Sequence, residues 1–187
     1  MFDQWVTPCY AEGQTRPETS ARVIELRPEQ ADDWWEVEAL YDLCFAPGRE
    51  ALSSYRLRDD IPPVPGLSRV ARDEENILAG AIRYWPVLVG TARVLLLGPV
   101  AVHPTHQGEG LGGALIRDSL AAAGETGWER VMLVGDAPYY GRFGFHRLTG
   151  VIMPPPTNPL RVLGLSLVPD AWADVQGEVA RWTDPQY

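Results

Sequence analysis

The run Val102-His103-Pro104-Thr105-His106-Gln107-Gly108-Glu109-Gly110-Leu111-Gly112-Gly113 restricts the fold more than any other part of the chain. An apolar, strand-like stretch enters it, and an amphipathic stretch with helical periodicity leaves it. Four of the six residues from Gly108 to Gly113 are glycine. Glycine adopts positive φ at little cost and lets the backbone approach a ligand closely. The first amides of a helix have no intrahelical partner, and the helix dipole adds partial positive charge there. Together these make a site for a phosphate or pyrophosphate that needs no basic side chain. A merely close-packed connection is the competing reading, and the glycine density at a strand-to-helix turn argues against it.

The ligand can be narrowed. A Walker-type loop requires a lysine, and all 16 Lys or Arg residues of this chain are Arg. Gly108, Gly110 and Gly113 satisfy the dinucleotide pattern G-x-G-x-x-G. However, His103 to Gln107 separate the strand from the first glycine, whereas the dinucleotide turn follows its strand tightly. The residues after Gly113 also lack the strand–helix alternation of a doubly wound sheet. A dinucleotide enzyme therefore stands as a secondary reading.

Periodicity sets out the remaining elements. Arg22 to Arg27 alternates as a half-buried strand, and Trp34, Val37, Leu40, Tyr41 and Cys44 fall at helical spacing within 31–45. Ala46-Pro47-Gly48 stops that helix, a shorter one follows over 49–58, and Ile61 to Gly66 is a loop. Strands are expected at 67–72, 77–89 and 91–102, then a helix from 110 ending at Gly124. A strand at 130–134, a one- to two-turn helix, and strands at 145–153 and 160–168 complete the order, with the Pro-rich 154–159 between the last two. This order predicts an α/β (α+β) domain, a mixed sheet with helices on its faces. Residues 1–20 read as an N-terminal extension and 21–187 as one domain, a length that can bury a real core. Gly98-Pro99 interrupts the strand before the glycine turn. Proline cannot donate to a sheet ladder, and a glycine beside it marks a bulge.

The net charge of −9 argues against nucleic acid, which demands clustered basic residues, and draws weakly on cations. No apolar run is long enough to span a bilayer, and Met1 to Trp5 lacks a secretory pattern, so the expectation is a cytoplasmic protein with no membrane contact. Cys9 and Cys44 form neither a metal spacing nor a disulfide framework, and Cys44 reads as a buried structural thiol.

Two motifs carry a resemblance to a known family. Gln107, Gly110 and Gly112 match the pyrophosphate signature Gln/Arg-x-x-Gly-x-Gly/Ala of the GNAT superfamily of N-acetyltransferases. Tyr139-Tyr140-Gly141-Arg142-Phe143-Gly144-Phe145 resembles that family's Tyr-x-x-x-Gly-Phe element. The wording of both is similar to its YhbS-like branch, and Pro138 to His146 also resembles arylalkylamine N-acetyltransferases. The resemblance implies a mostly antiparallel sheet of about seven strands, splayed at the fourth, and acetyl-CoA as cosubstrate with no metal. It implies that Val100, Ala101, Val102, Gln107, Gly108, Glu109, Gly110, Leu111, Gly112 and Gly113 hold the cofactor. Within that set the Val100 and Val102 amides are assigned to the pantetheine arm and the thioester carbonyl.

It further implies Tyr140 as the general acid to the departing thiolate, with Tyr139 the neighbouring alternative. Residues 94–102 hold no titratable side chain that could serve as base, and His103 and His106, which flank the turn, more commonly stabilise such turns. The base stays unassigned. A small-molecule or peptide amine would enter near Phe45 to Arg58 and Arg83-Tyr84-Trp85, where tryptophans and tyrosines could wall a cation. A homodimer through the last strands and 154–159 is compatible with the fold. A non-catalytic acetyl-CoA-binding module would keep the glycine turn and dispense with Tyr140.

Overall fold

A computed structural model describes residues 23–45 and 48–183. The expected extension 1–20, Cys9, Arg22 of the first strand and Ala46-Pro47 of the helix stop lie outside the described residues. The centre of the fold is a hairpin of two long strands, β3 (Leu78–Val89) and β4 (Ala92–Val102), turned at Gly90 and Thr91. Gly90 has φ +58°, the left-handed region a two-residue hairpin turn uses. β3 is buried along nearly all its length, as befits a strand covered on both faces.

β1 (Glu25–Pro28) and β2 (Arg69–Arg72) extend the sheet beyond β3, while β5 (Arg130–Val134), β8 (Val162–Ser166) and β6 (His146–Arg147) extend it beyond β4. β9 (Gly177–Arg181) pairs the far end of β3 and carries β7 (Val151–Ile152). The pairings are antiparallel except β4 with β5 and β7 with β9.

The sheet is thus mixed and largely antiparallel, with nine described strands where about seven are expected. Two departures account for the difference. The strand expected over 145–153 is two short pieces, because Gly150 at φ +85° turns the chain between them. β9 has no counterpart in the sequence reading: Gly177-Glu178-Val179-Ala180-Arg181 offers one buried residue, Val179, and so almost no alternation. The 49–58 helix is likewise a 3-10 turn, Arg49–Ala51, and one helical turn, α2 (Ser53–Arg56), separated by Leu52 in extended conformation.

Helices cover both faces. α1 (Trp34–Phe45) buries Val37, Leu40 and Tyr41 against Val70, Ala81 and Ala101. α3 (Leu111–Glu125) buries Leu111, Leu115, Ile116 and Ala123 against the other face, on Ala79, Ile82 and Tyr84. Burying each large aliphatic contributes about 1.5–3 kcal/mol. Gly124 lies inside α3; the left-handed residue past its end is Gly127, φ +81°. Cys44 is half-buried, packed against the α1-side core, with its Sγ 3.5 Å from the Val102 carbonyl. The Pro-rich 154–159 is engaged within its own chain: the Thr157 and Ser53 hydroxyls are 2.5 Å apart, and Arg56 donates to the Pro155 carbonyl.

Candidate active site

The sheet opens beside Gly98-Pro99. β4 pairs β5 at Leu95–Val131 and Leu96–Met132 and goes no further, so its C-terminal part leaves β5. On the other side β4 keeps β3 across a bulge, in which Gly98 and Pro99 stand opposite Arg83. The His103 amide donates to the Ala79 carbonyl at 2.8 Å, which marks that pair as hydrogen-bonded. Antiparallel pairs alternate, so Val102–Gly80 and Val100–Ile82 are non-hydrogen-bonded pairs. Their amides point away from β3, toward the side β5 has left. The Val102 carbonyl on that side accepts from Gln107 Nε2 at 3.1 Å. The Tyr41 hydroxyl donates to the Pro99 carbonyl at 3.3 Å.

Beyond β4 the chain makes a 3-10 turn, Pro104–His106, capped by His103, whose Nδ1 accepts from the Thr105 amide at 3.3 Å. His106 is 4% exposed, its Nδ1 3.4 Å from Glu109 Oε2. Both histidines thus shape the turn. Gly108 and Gly110 have φ +85° and +81°, and Gly110 is the N-cap of α3. The first intrahelical bond runs from the Ala114 amide to the Gly110 carbonyl, leaving the amides of Leu111, Gly112 and Gly113 free at the helix start. A Cβ at Gly112 would lie 3.3 Å from the Tyr139 hydroxyl, so the turn and Tyr139 form one close surface.

This turn borders a cavity of about 450 Å³ that includes Val102, Gln107, Gly108 and Gly110 to Gly113. Its other wall holds Arg117, Tyr139, Arg142 and Phe143. The sequence reading had no basic residue here. Arg117 lies one helical turn after Gly113, and Arg142 stacks over the Tyr139 ring at 4.5 Å, so the i,i+4 spacing was the available signal for Arg117 alone. The free amides, the absence of side chains at Gly112 and Gly113, and two guanidinium groups suit a pyrophosphate-bearing ligand. Of the residues expected to hold the cofactor, Val100, assigned to the pantetheine arm, lines the splay, while Ala101 and Glu109 border neither cavity. Ala101 is 3% exposed, packed toward α1, and Glu109 turns to His106.

A smaller cavity of about 150 Å³ fills the splay itself, between Gly98, Pro99 and Val100 on one side and Leu133 and Tyr140 on the other. The Tyr140 ring is seated on Gly135: a Cβ there would come within 2.4 Å of Tyr140 Cε2. Burial pushes the Tyr140 hydroxyl up to about 12; Tyr139 adds to the rise and Arg161 opposes it.

On the α1 face lies a third cavity, about 460 Å³, walled by Trp34, Tyr41, Tyr55, Arg58, Arg83 and Trp85. Arg49, Tyr55, Arg58 and Pro99 border both this cavity and the splay, so the two adjoin. Tyr84, expected here, faces the opposite way and bonds Ser119 at 2.8 Å in the α3-side core. The aromatic faces here are already occupied by the chain's own cations. Arg58 lies 4.4 Å from both the Tyr55 and Trp85 rings, and Arg83 4.1 Å from Trp34. Arg83 is bound by Glu29 and Glu38, and Arg49 by Glu38 and Asp42. Burial works to lower the Arg49 and Arg83 pKa values; the Tyr55 hydroxyl with Glu38 and Asp42 on Arg49, and Glu29 and Glu38 on Arg83, outweigh it, so both are raised.

Among the described residues, no group of three or more His, Cys, Asp or Glu is placed to hold a metal ion, and no helix is long and apolar enough to cross a membrane.

A mixed sheet splayed at a bulged strand, with a glycine turn and free helix amides beside the splay, is the architecture of GNAT acetyltransferases. The solved structures bear this out. The chain matches YhbS, a GNAT family N-acetyltransferase from Escherichia coli in complex with CoA, with a TM-score of 0.75 and 27% identity, over 91% of this chain and 94% of that one. It matches a GNAT family acetyltransferase from Brucella melitensis in complex with acetyl-CoA with a TM-score of 0.66 and 30% identity, over 86% and 97%. In sequence it is 33% identical over 111 residues to the uncharacterized N-acetyltransferase YhbS of E. coli K12, spanning 58% of this chain and 65% of that relative. It is 32% identical over 123 residues to YjhQ of the same organism, 66% of whose length is covered. The chain thus spans just under two-thirds of the curated relatives it matches. Residues 66–147 match the acetyltransferase (GNAT) domain, and with 30% identity over 97% of the Brucella acetyltransferase the chain belongs to the GNAT acetyltransferase family.

Proposed function

We propose that this protein is an acetyl-CoA-dependent N-acetyltransferase acting on a primary amine by direct attack, with Tyr140 as general acid. The observation that carries the reading is the splay. There the Val100 amide and the Tyr140 side chain face one small cavity that adjoins the glycine-turn side of β4 and the α1-side cavity. Acetyl-CoA supplies an acyl group activated as a thioester. The α3 amides at Leu111, Gly112 and Gly113, with Gln107 and Gly108 shaping the turn and Arg117 and Arg142 opposite, hold its pyrophosphate. The Val100 and Val102 amides take the pantetheine arm as an added strand would be taken, and one of them donates to the thioester carbonyl oxygen.

The amine enters from the α1 side as the free base. Its nitrogen forms a bond to the carbonyl carbon, the carbon–sulfur bond breaks, and the sulfur takes the Tyr140 proton as it leaves. The nitrogen gives its surplus proton to water in the open α1-side cavity, and Tyr140 is reprotonated from solvent. A phenol pushed up to about 12 stays protonated at neutral pH, and is a stronger proton holder than a thiol of ordinary pKa near 8.5. Proton transfer from it is therefore coupled to carbon–sulfur cleavage, where charge on sulfur develops.

An assay of CoA-thiol release across a panel of primary amines tests the reading. Turnover with an amine that depends on Tyr140 supports it. Tight acetyl-CoA binding with no turnover across the panel, and no effect of Tyr140→Phe, would favour the non-catalytic module.

A further inference from the structure

We infer that the acceptor amine carries a carboxylate received by Arg58, so that the substrate class is an amino acid or another amine with an acid group near its nitrogen. The inference rests on the acetyltransferase reading for its chemistry but on separate residues for its evidence. Three arginines stand around the α1-side cavity, and two are neutralised from within the chain. Arg83 is bound by Glu29 and Glu38, and Arg49 by Glu38 and Asp42. Arg58 has no carboxylate within ion-pair distance among the described residues, and its Nε and Nη1 are sealed from solvent without a hydrogen-bond partner. Glu50 and Asp59 border the same cavity and are exposed, yet neither pairs with it.

A guanidinium sealed at two of its nitrogens without a counter-charge is costly to keep. Here the cost is borne at one spot, and that spot is where the α1-side cavity meets the splay, since Arg58 borders both. Tyr55 and Trp85 clamp the guanidinium between their rings at 4.4 Å each, which fixes its plane before any ligand arrives. They also remove the aromatic faces that a bare cationic amine would need. Burial lowers the Arg58 pKa to about 10, with Tyr55 and Tyr41 opposing the fall, so the group remains charged at neutral pH. A planar, oriented cation suits a carboxylate. The exposed Glu50 and Asp59 at the rim meanwhile suit the ammonium end of a zwitterion on its way in.

The test compares common L-amino acids with their methyl esters, in wild type, Arg58→Met and Arg58→Lys. CoA-thiol release gives kcat/KM for each pair, and calorimetry gives binding of the same compounds to the CoA-loaded protein. In wild type the acid should exceed its ester by about tenfold or more in kcat/KM, the scale of a charge-assisted contact. Arg58→Met should collapse that ratio toward unity, and Arg58→Lys should restore part of it. Acetyl-CoA affinity, measured on each variant, reports that the domain is folded. An ester equal to its acid in wild type, or a preference that survives Arg58→Met, overturns the inference while leaving an acetyltransferase. Should no amine release CoA, Arg58-dependent binding of amino acids over esters upholds this assignment and sinks only the catalytic reading. Its absence sinks both.

Discussion

Tyr139 and Tyr140 are neighbours in sequence, with ring centroids 5.0 Å apart at 85°, yet they open onto different cavities. Tyr139 lies against the glycine turn, its hydroxyl 3.3 Å from where a Cβ at Gly112 would stand. Tyr140 faces the splay across from Pro99 and Val100. The short helix α4 (Ala137–Tyr140) separates them: Asp136 caps it through the Tyr139 amide at 3.2 Å, and consecutive helical side chains point about 100° apart.

The two tyrosines should therefore fail differently. Tyr140→Phe is expected to lower kcat by about 10²–10⁴, the range for a general acid, with acetyl-CoA affinity nearly unchanged. Tyr139→Phe should act mainly on cofactor affinity. Steady-state kinetics beside calorimetry separates them. Because burial holds Tyr140 up to about 12, the acid form persists through alkaline pH. The kcat profile should show no loss of activity up to about pH 10, the ordinary phenol value; an alkaline limb below that would contradict the assignment.

Gly135→Ala probes how Tyr140 is positioned. The new methyl would lie 2.4 Å from Tyr140 Cε2 and 2.8 Å from Leu133 Cδ1, and must displace the ring. We expect turnover to fall about tenfold or more, in keeping with the cost of misplacing a catalytic group. Acetyl-CoA binding should be retained, and thermal melting would show whether the domain stays folded.

The glycine turn divides into two kinds of position. Gly110 has open space around it but φ +81°, so Gly110→Ala should cost about 1–2 kcal/mol of backbone strain without a clash. Gly112→Val would instead crowd the Tyr139 hydroxyl and Val102 Cγ2, at 3.3 and 3.5 Å from the first added carbon. It should weaken acetyl-CoA more than Gly110→Ala does. Calorimetry that ranks the two in the opposite order would mean the ligand does not approach Gly112.

Asp33 makes a pH-dependent contribution to stability far from the splay. It accepts from Arg27 Nη1 and Nη2 at 2.8 Å each, from Arg72 Nη2 at 2.5 Å and from the Gln30 amide at 2.8 Å. Burial raises its pKa, but the bonds from Arg27, Gln30 and Arg72 prevail and hold it at about 2, against an ordinary 3.8. The unfolded chain thus binds the proton more readily, and the carboxylate stabilises the fold above about pH 4. That contribution, about 2 kcal/mol, drains away as the pH falls from 4 to 2. Urea unfolding at pH 7 and pH 3 should show this loss in wild type, and a smaller one in Asp33→Asn.

The parts legible from sequence are those where one residue type performs one local task. Gly108 to Gly113, the Gly98-Pro99 interruption and the apolar stripe of α1 were readable because glycine, proline and periodicity act through neighbours along the chain. What escaped depends on residues far apart. β9 gains its place by pairing with β3 and β7, and its own alternation is nearly absent. The arginine clamps on Trp34, Tyr55 and Trp85 join α1, α2 and β3 across the α1-side cavity. Tyr84 was misplaced with Arg83 and Trp85 because successive strand residues face opposite sides, and Tyr84 belongs to the core under α3.

The bulge at Gly98-Pro99 does more than free two amides. By parting β4 from β5 it turns a continuous sheet into a wall with a slit, with the glycine turn on one side and the arginine-lined cavity on the other. The chain segments that build the two sides are distinct: 102–117 and 139–143 on one, 34–63 with Arg83 and Trp85 on the other. The α1 side can therefore be rewritten by substitution in α1 and α2 while the glycine-turn side keeps its sequence. Diversification within such a lineage should accumulate there first.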